Sequence, residues 1–155
     1  MEKTPLTTKG AGRRYLIPQL FSDVLYVVLG VVCAQMVTPL KYQWQFKAAN
    51  AMSTLSVLFF GVALVSILYH VMVSQTVAEM QERKITGKGL QGISNRGFSL
   101  EFDQIVSIAT SKGFLNLETG KNVYLILNTI SGNYKIIATP DCAKEFVEYY
   151  NNNRK

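Results

Sequence analysis

The stretch Leu20–Leu40, LFSDVLYVVLGVVCAQMVTPL, is a long apolar run, and a second run, AMSTLSVLFFGVALVSILYHVMV, extends from Ala51 to Val73. A transmembrane helix needs about 20 predominantly apolar residues, so each run can cross a bilayer. Only Lys41–Asn50 separates them, so the two spans must form a hairpin. The sequence therefore predicts an integral membrane protein with a basic head (residues 1–17), a two-span hairpin (18–74) and a C-terminal domain (75–155).

The basic residues predict the orientation of the hairpin, because membrane proteins carry an excess of Lys and Arg on the cytoplasmic side. The loop between the spans has only Lys41 and Lys47. The outer ends of the hairpin are flanked by more basic residues: Lys3, Lys9, Arg13, Arg14, Arg83, Lys84 and Lys88. Both termini are therefore expected in the cytoplasm, and the hairpin in the cytoplasmic (inner) membrane. A signal peptide cleaved near Val32–Ala34 is the alternative, but the apolar run continues beyond this point, which favours an anchor.

Two ionisable residues, Asp23 and His70, interrupt the apolar runs. They lie at similar distances from the loop on antiparallel helices, so both are expected near the cytoplasmic end of the hairpin. Ionisable groups inside a span are costly, and they suggest a function by default. A structural contact between the two residues accounts for them. A proton relay or a metal site is the alternative, although one histidine without further ligands makes a poor metal site. We predict no metal and no cofactor.

Small residues on the two spans mark places where another helix can approach closely. Gly30 and Ala34 share one face of the first span, and Ser56 and Ala63 share a face of the second. These four residues are expected to pack the spans against each other. The alternative is that they dock a helix of a partner protein.

The chain after the second span is expected to begin with a continuation of the helix through Gln75–Arg83, with Glu79 and Glu82 on its wet face. The pattern then changes to short strands divided by turns. Strands are predicted at residues 85–93, 98–102, 105–109, 114–117, 123–127 and 134–138, and a tight hairpin turn at 131–133. The run 123–127 is apolar on both faces and is therefore expected to be a central strand.

An amphipathic helix is predicted near the C-terminus. Thr139 is a good N-cap, and Pro140 suits the first helical position. One apolar face is formed at i, i+3, i+4 and i+7 by Ala143, Phe146, Val147 and Tyr150. The predicted fold class is a membrane α-helical hairpin plus a small α+β domain, in which this helix covers the open end of a curled antiparallel sheet.

Short antiparallel strands closed by one C-terminal helix resemble the pleckstrin-homology-like (PH-like) fold. The resemblance is carried by Lys88–Leu90, by Phe102–Ile108 and by Tyr134–Ile137, which precedes the closing helix. Two spans ahead of such a domain are similar to the architecture of bacterial membrane-anchored PH-like proteins, the YcxB-like and related families. The resemblance implies a fold rather than an activity. It does not extend to the basic motif of phosphoinositide-binding PH domains, since the basic residues near the first hairpin include no basic-x-Arg sequence.

The basic residues after the second span, Arg83, Lys84, Lys88 and Arg96, are expected to form a juxtamembrane cluster. Each residue of this kind attracts anionic headgroups by about 1 kcal/mol, and the alternative is that they only determine topology. From Gln75 onward, ten basic residues accompany eight acidic ones. The domain therefore lacks the basic stripe that nucleic-acid binding usually needs.

Catalytic patterns are absent from the sequence of the C-terminal domain. It has no histidine, so no Ser-His or Cys-His pair can form there, and Glu101, Asp103 and Glu118 occupy predicted solvent-facing positions. Gly87–Gly92 satisfies G-x-G-x-x-G, but no helix start follows it, as a nucleotide site would require. Cys142 is expected to be a small buried hydrophobe rather than an activated thiol.

These patterns together predict a non-enzymatic interaction module. A membrane anchor would hold a PH-like domain at the cytoplasmic membrane face, where the domain binds a protein partner. One alternative is an accessory subunit that docks into a larger membrane complex through its spans. Another is a small transporter or channel component, in which Asp23, Gln35 and His70 would line the path.

Overall fold

The computed structural model describes residues 5–112 and 121–154. Its elements are β1 (Leu6–Thr7), α1 (Ala11–Tyr42), α2 (Phe46–Ser74), β2 (Val77–Gln81), β3 (Lys84–Gln91), β4 (Ser94–Glu101), a 3-10 turn (Phe102–Gln104), β5 (Ile105–Ser111), β6 (Val123–Thr129), β7 (Gly132–Ala138) and α3 (Pro140–Asn153). The strand predicted at 114–117 and the carboxylate of Glu118 lie outside the described residues.

Helices α1 and α2 are each long and apolar enough to span a membrane. Most of the apolar stretch in each helix is exposed, whereas the core helix of a soluble protein would be mostly buried. Residues Pro18–His70, which hold most of both helices, form one compact unit. The prediction of two membrane-length helices near the start of the chain is confirmed.

The second compact unit contains residues 1–17 and 71–155 and is built on one curled antiparallel sheet. The strands are ordered β1-β2-β3-β7-β6-β5, and β4 pairs with β3 away from this path. Apolar side chains inside the curl form the core, among them Phe98, Leu125 and Ile136. The predicted curled antiparallel sheet with a C-terminal helix is therefore present as a half-barrel closed by α3.

Helix α3 begins as the sequence predicts. Thr139 is the N-cap, its hydroxyl accepts a hydrogen bond from the Cys142 backbone N–H, and a proline follows it. The apolar face of the helix lies in the core, with Phe146 and Tyr150 almost completely buried. The Tyr150 hydroxyl donates to the carbonyl oxygen of Ile105 at 2.6 Å, which ties the end of α3 to the first residue of β5.

The expected helical continuation through Gln75–Arg83 is wrong, because α2 ends at Ser74 and β2 begins three residues later. Burial alternates along Val77–Gln81, as expected for a strand with one buried face. Thr76 makes the transition: its hydroxyl donates to the Val73 carbonyl and accepts from the Ile137 backbone N–H. Glu79 and Glu82 were interpreted as the solvent-facing side of a helix. The alternation of buried and exposed residues along this segment is instead that of a strand.

The head of the chain contributes a strand, β1, that was not predicted from the sequence. Leu6 pairs with Met80 and Thr7 with Glu79. The hydroxyl of Thr8 then accepts a hydrogen bond from the Ala78 backbone N–H at 2.9 Å. Residues 5–17 are therefore part of the sheet unit rather than a separate basic tail.

Strand β6 lies between β5 and β7, as its apolar sequence predicts. Leu125 faces the core, and Tyr124 is also buried although it points to the other face. Tyr124 is paired with Ile137, whose backbone N–H binds Thr76 immediately after α2. The chain that leaves α2 is therefore tied to β7, the strand that pairs with β6.

Candidate intramembrane polar site

Asp23 of α1 is the centre of a buried polar cluster in the hairpin. Its side chain is only 1% exposed, and that of His70 is 12% exposed. The Ser66 hydroxyl donates to Asp23 Oδ1 at 2.6 Å, and His70 Nδ1 lies 2.9 Å from Asp23 Oδ2. Both carboxylate oxygens therefore have a partner on the opposite helix, and the cluster links α1 to α2.

The sequence positions explain why these three side chains meet. Ser66 and His70 are four residues apart on α2, so they lie on one face, one above the other. Asp23 faces them from the antiparallel helix of the same hairpin. Asp23 and His70 could be identified from the sequence as ionisable residues within apolar runs, whereas Ser66 was not predicted to take part. The i, i+4 spacing from the histidine was the signal that could have identified it.

The geometry of the cluster determines which chemistry it can support. A nucleophilic serine needs a base that accepts its proton and a third group that orients the base. Here the Ser66 hydroxyl donates to the carboxylate instead, and the carboxylate lies between the serine and the histidine. Among the residues that the structure describes, no group of three His, Cys, Asp or Glu side chains is arranged to hold a metal ion. The cluster has the form of a polar cross-link between two helices.

Two of the four predicted helix-packing residues are in direct contact. The Ser56 hydroxyl donates to the Gly30 carbonyl oxygen at 2.9 Å. A Cβ atom on Gly30 would lie 3.0 Å from the Phe60 ring, so the close approach of the helices depends on glycine. Ala63 is buried as well, but Ala34 is exposed. Of the four predicted packing residues, Gly30, Ser56 and Ala63 therefore pack the two helices of the hairpin against each other, and Ala34 does not.

Substituting Gly30 is expected to disrupt the hairpin. In Gly30→Leu the new side chain would overlap the Phe60 ring and push Ser56 away from the carbonyl it binds, and overpacking of this kind costs about 1–3 kcal/mol. Ala34→Leu is the matched control, because Ala34 lies on the same helix with an exposed side chain. Unfolding of the full-length protein in mild detergent measures both. Equal stabilities of the two variants would contradict the assigned packing.

The four predicted headgroup-contacting residues do not lie together. Val77, which follows α2, pairs with Lys88, and Arg96 pairs with Gly89 on the neighbouring strand. Arg83 and Lys84 lie at the opposite end of the β2–β3 hairpin. At about 3.3 Å per residue, the four residues from Lys84 to Lys88 span about 13 Å. The expected single juxtamembrane cluster therefore does not form, because the chain after α2 is a strand rather than a helix. Arg83 and Lys84 lie at one end of the hairpin, and Lys88 and Arg96 lie toward its other end on opposite faces of the sheet.

Other sequence features acquire a structural role in the sheet unit. Gly87 and Gly89 lie in β3 and Gly92 in the turn before β4, so the glycine motif belongs to a β-hairpin and is followed by a strand. The Cys142 Sγ lies 3.3 Å from the Thr7 carbonyl oxygen. Burial, and secondarily the charge of Glu145, raises the pKa of the Cys142 thiol. This thiol is therefore mainly protonated at neutral pH and is a weak nucleophile.

Comparison with models of known protein families, with curated proteins and with solved structures finds no significant match. The resemblance to membrane-anchored PH-like proteins therefore stays a prediction.

Proposed function

We propose that the protein is a non-enzymatic interaction module, in which a membrane hairpin holds a PH-like domain at the cytoplasmic membrane face to bind a protein partner. The observation that carries the proposal is the edge of β4. All eight residues of β4 pair with β3. Within residues 5–112 and 121–154, no strand pairs with the other edge of β4. An open edge of this length can accept a strand from another chain.

A shallow groove lies at the end of β4, and its lining indicates which side chains a bound peptide would place there. It is lined by Leu100 of β4, by Asp103 and Gln104 of the 3-10 turn, and by Thr129–Ser131 before β7. Backbone groups of the edge would bind an extended peptide without regard to sequence. The groove would select side chains, with Leu100 favouring apolar groups. The partner is therefore an extended protein segment with apolar side chains.

The anchor part of the proposal is supported by the chain connectivity. Only Gln75 and Thr76 separate α2 from β2, so the sheet follows directly on a helix of membrane-spanning length. The excess of basic residues outside the loop supports a cytoplasmic location for both termini and for the domain.

The two alternative functions have less support in the hairpin. An accessory subunit that docks through its spans would need their small residues, but Gly30 and Ser56 are engaged within the hairpin. A transporter path through Asp23, Gln35 and His70 would need the three side chains to line one connected path. Gln35 is exposed and lies twelve residues from Asp23 along α1, which is about 18 Å at 1.5 Å per residue.

Site-specific photo-crosslinking in the native membrane tests the proposed function. A photoreactive amino acid at Ser99, which is exposed on β4, is expected to give one specific protein adduct. The matched control is Glu79, an exposed residue of β2, whose neighbours on both sides are the paired strands β1 and β3. Mass spectrometry identifies the captured species. A position-independent product, or no protein adduct at Ser99, would exclude the edge of β4 as the binding surface.

A further inference from the structure

Two isoleucine side chains project from the turns of the sheet unit. Ile93 is 91% exposed and Ile130 is 90% exposed, and no other large apolar side chain among the described residues is as exposed. Each lies in a tight hairpin turn, Ile93 between β3 and β4 and Ile130 between β6 and β7. Tight turns favour Gly, Asn, Asp and Ser, so a β-branched apolar residue in both turns requires an explanation.

The two turns are neighbours. Strands β3 and β7 are antiparallel and pair at Leu90 and Lys135, so the end of β3 and the start of β7 lie at the same edge of the sheet. The Gln91 side-chain amide donates to the Ser131 carbonyl oxygen at 3.3 Å. This bond joins the two turns directly. The two isoleucines therefore project from neighbouring turns at the same edge of the sheet.

This edge of the sheet lies beside the last turn of α2. The Asn95 side-chain amide donates to the Met72 carbonyl oxygen at 2.7 Å, and Asn95 is only two residues from Ile93. Met72 and Asn95 belong to the same compact unit. The turn that carries Ile93 is therefore on the side of the domain at which α2 arrives, and α2 is one of the two helices of membrane-spanning length.

The charged residues near the two hairpin turns in sequence are all basic, although Asp103 of the 3-10 turn lies in the groove beside Ile130. Residues 83–100 and 121–140, which contain both hairpin turns, include no Asp or Glu. The basic residues nearest the turns are Lys88, Arg96 and Lys135, and all three side chains are exposed. Apolar tips bordered by basic residues are typical of surfaces that lie in the interface of an anionic bilayer.

We propose that Ile93 and Ile130 insert into the interfacial lipid of the bilayer that α2 crosses, and that Lys88, Arg96 and Lys135 contact anionic headgroups around them. The domain then has a second attachment to the membrane besides the covalent one through α2. This inference rests on the membrane crossing of α2, and it does not require a protein partner at β4. The role in headgroup binding falls to Lys88 and Arg96, not to Arg83 and Lys84 at the far end of the hairpin.

Tryptophan fluorescence of the full-length protein in vesicles tests the insertion. Ile93→Trp and Ile130→Trp are made separately in a Trp44→Phe background, which removes the single native tryptophan. Gln81→Trp is the matched control, since Gln81 is exposed and lies at the opposite end of the β2–β3 hairpin. The vesicles contain phosphatidylcholine and phosphatidylglycerol, with or without bromine atoms high on the acyl chains. Iodide in the buffer is the aqueous quencher.

The expected result is that brominated lipid removes most of the emission of Ile93→Trp and Ile130→Trp, while iodide has little effect on them. Gln81→Trp is expected to show the reverse. Iodide quenching of all three variants with no effect of bromine would overturn the proposal. Shielding of the two turn variants in native membranes but not in lipid vesicles would also overturn it, since the two turns would then bind a protein. Neither result depends on whether a partner is captured at Ser99.

Discussion

Replacing His70 by leucine is expected to be among the most destabilising single changes in the hairpin. The substitution removes one of the two hydrogen-bond partners of Asp23 and leaves a carboxylate that is 1% exposed without compensation on that side. Removing one partner of a buried hydrogen-bonding group typically costs about 1–3 kcal/mol, and more where the group left behind is charged. The lost packing of the imidazole against the Tyr69 ring, whose centroid lies 5.9 Å away, acts in the same direction.

The double variant Asp23→Val/His70→Leu is expected to be close to the wild type in stability, and clearly more stable than His70→Leu. Replacing both members of a buried pair by apolar residues is often neutral or stabilising, because the cost of burying the charge disappears together with the interaction. The Ser66 hydroxyl can then bind a carbonyl one turn earlier in its own helix. Ser66→Ala alone is the control for a single interhelical hydrogen bond, which is worth about 0.6–1.7 kcal/mol in membranes.

Unfolding of the full-length protein in lipid bicelles measures all of these variants, and Trp44 in the loop between α1 and α2 provides a fluorescence signal. A double variant no more stable than His70→Leu would show that the unpaired Asp23 carboxylate is not what destabilises the single variant. A His70→Leu variant no less stable than Ser66→Ala would show that the carboxylate finds other partners. Either result would contradict the prediction that loss of the Asp23–His70 contact strongly destabilises the hairpin.

The double variant also separates structure from function at this site. It removes every ionisable group of the cluster while the hairpin stays folded. If the cluster only joins two helices, capture of the partner at Ser99 should persist. If the cluster moves protons or ions, the double variant should lose that flux although it is folded. Stability and flux are measured on the same preparation, so the two roles are distinguishable.

Features encoded within one segment could be predicted from the sequence. The apolar length of α1 and α2 is a local property, and so are the N-cap at Thr139 and the apolar face of α3. Strands β5, β6 and β7 begin within two residues of their predicted positions, because alternation and turn residues are also local signals. The contact of Asp23 with His70 followed from counting residues outward from the hairpin loop.

Features that depend on pairing between distant segments could not be predicted in the same way. Strand β1 has only two residues and exists because Leu6 and Thr7 find Met80 and Glu79 across the chain. The end of α2 at Ser74 depends on the same pairing, since β2 is stabilised by neighbours on both sides. The wrong prediction that α2 continues as a helix also made the predicted basic cluster wrong. Because the chain after α2 forms a hairpin of strands, a basic residue close to α2 in sequence need not lie close to the end of α2 in space.

Replacing Phe146 by alanine is expected to be the most destabilising single change in the sheet unit. Phe146 is completely buried between α3 and the curled sheet, and truncation of a buried phenylalanine typically costs about 3–5 kcal/mol. The cavity would lie under the centre of α3, so the helix should separate from β5 and β6 before the other strands. Hydrogen exchange of the full-length protein is expected to accelerate most in α3 and along these two strands.

Lys144→Ala on the exposed face of the same helix is the matched control. Lys144 forms an ion pair with Glu148 at 3.7 Å, with both side chains largely exposed, and such pairs contribute little. Its exchange pattern should match that of the wild type. Acceleration confined to α3 in Phe146→Ala, with β5 and β6 unchanged, would mean that the curled sheet holds its shape without the helix. The half-barrel would then be closed by its own strands, and α3 would be an addition to the core rather than its cover.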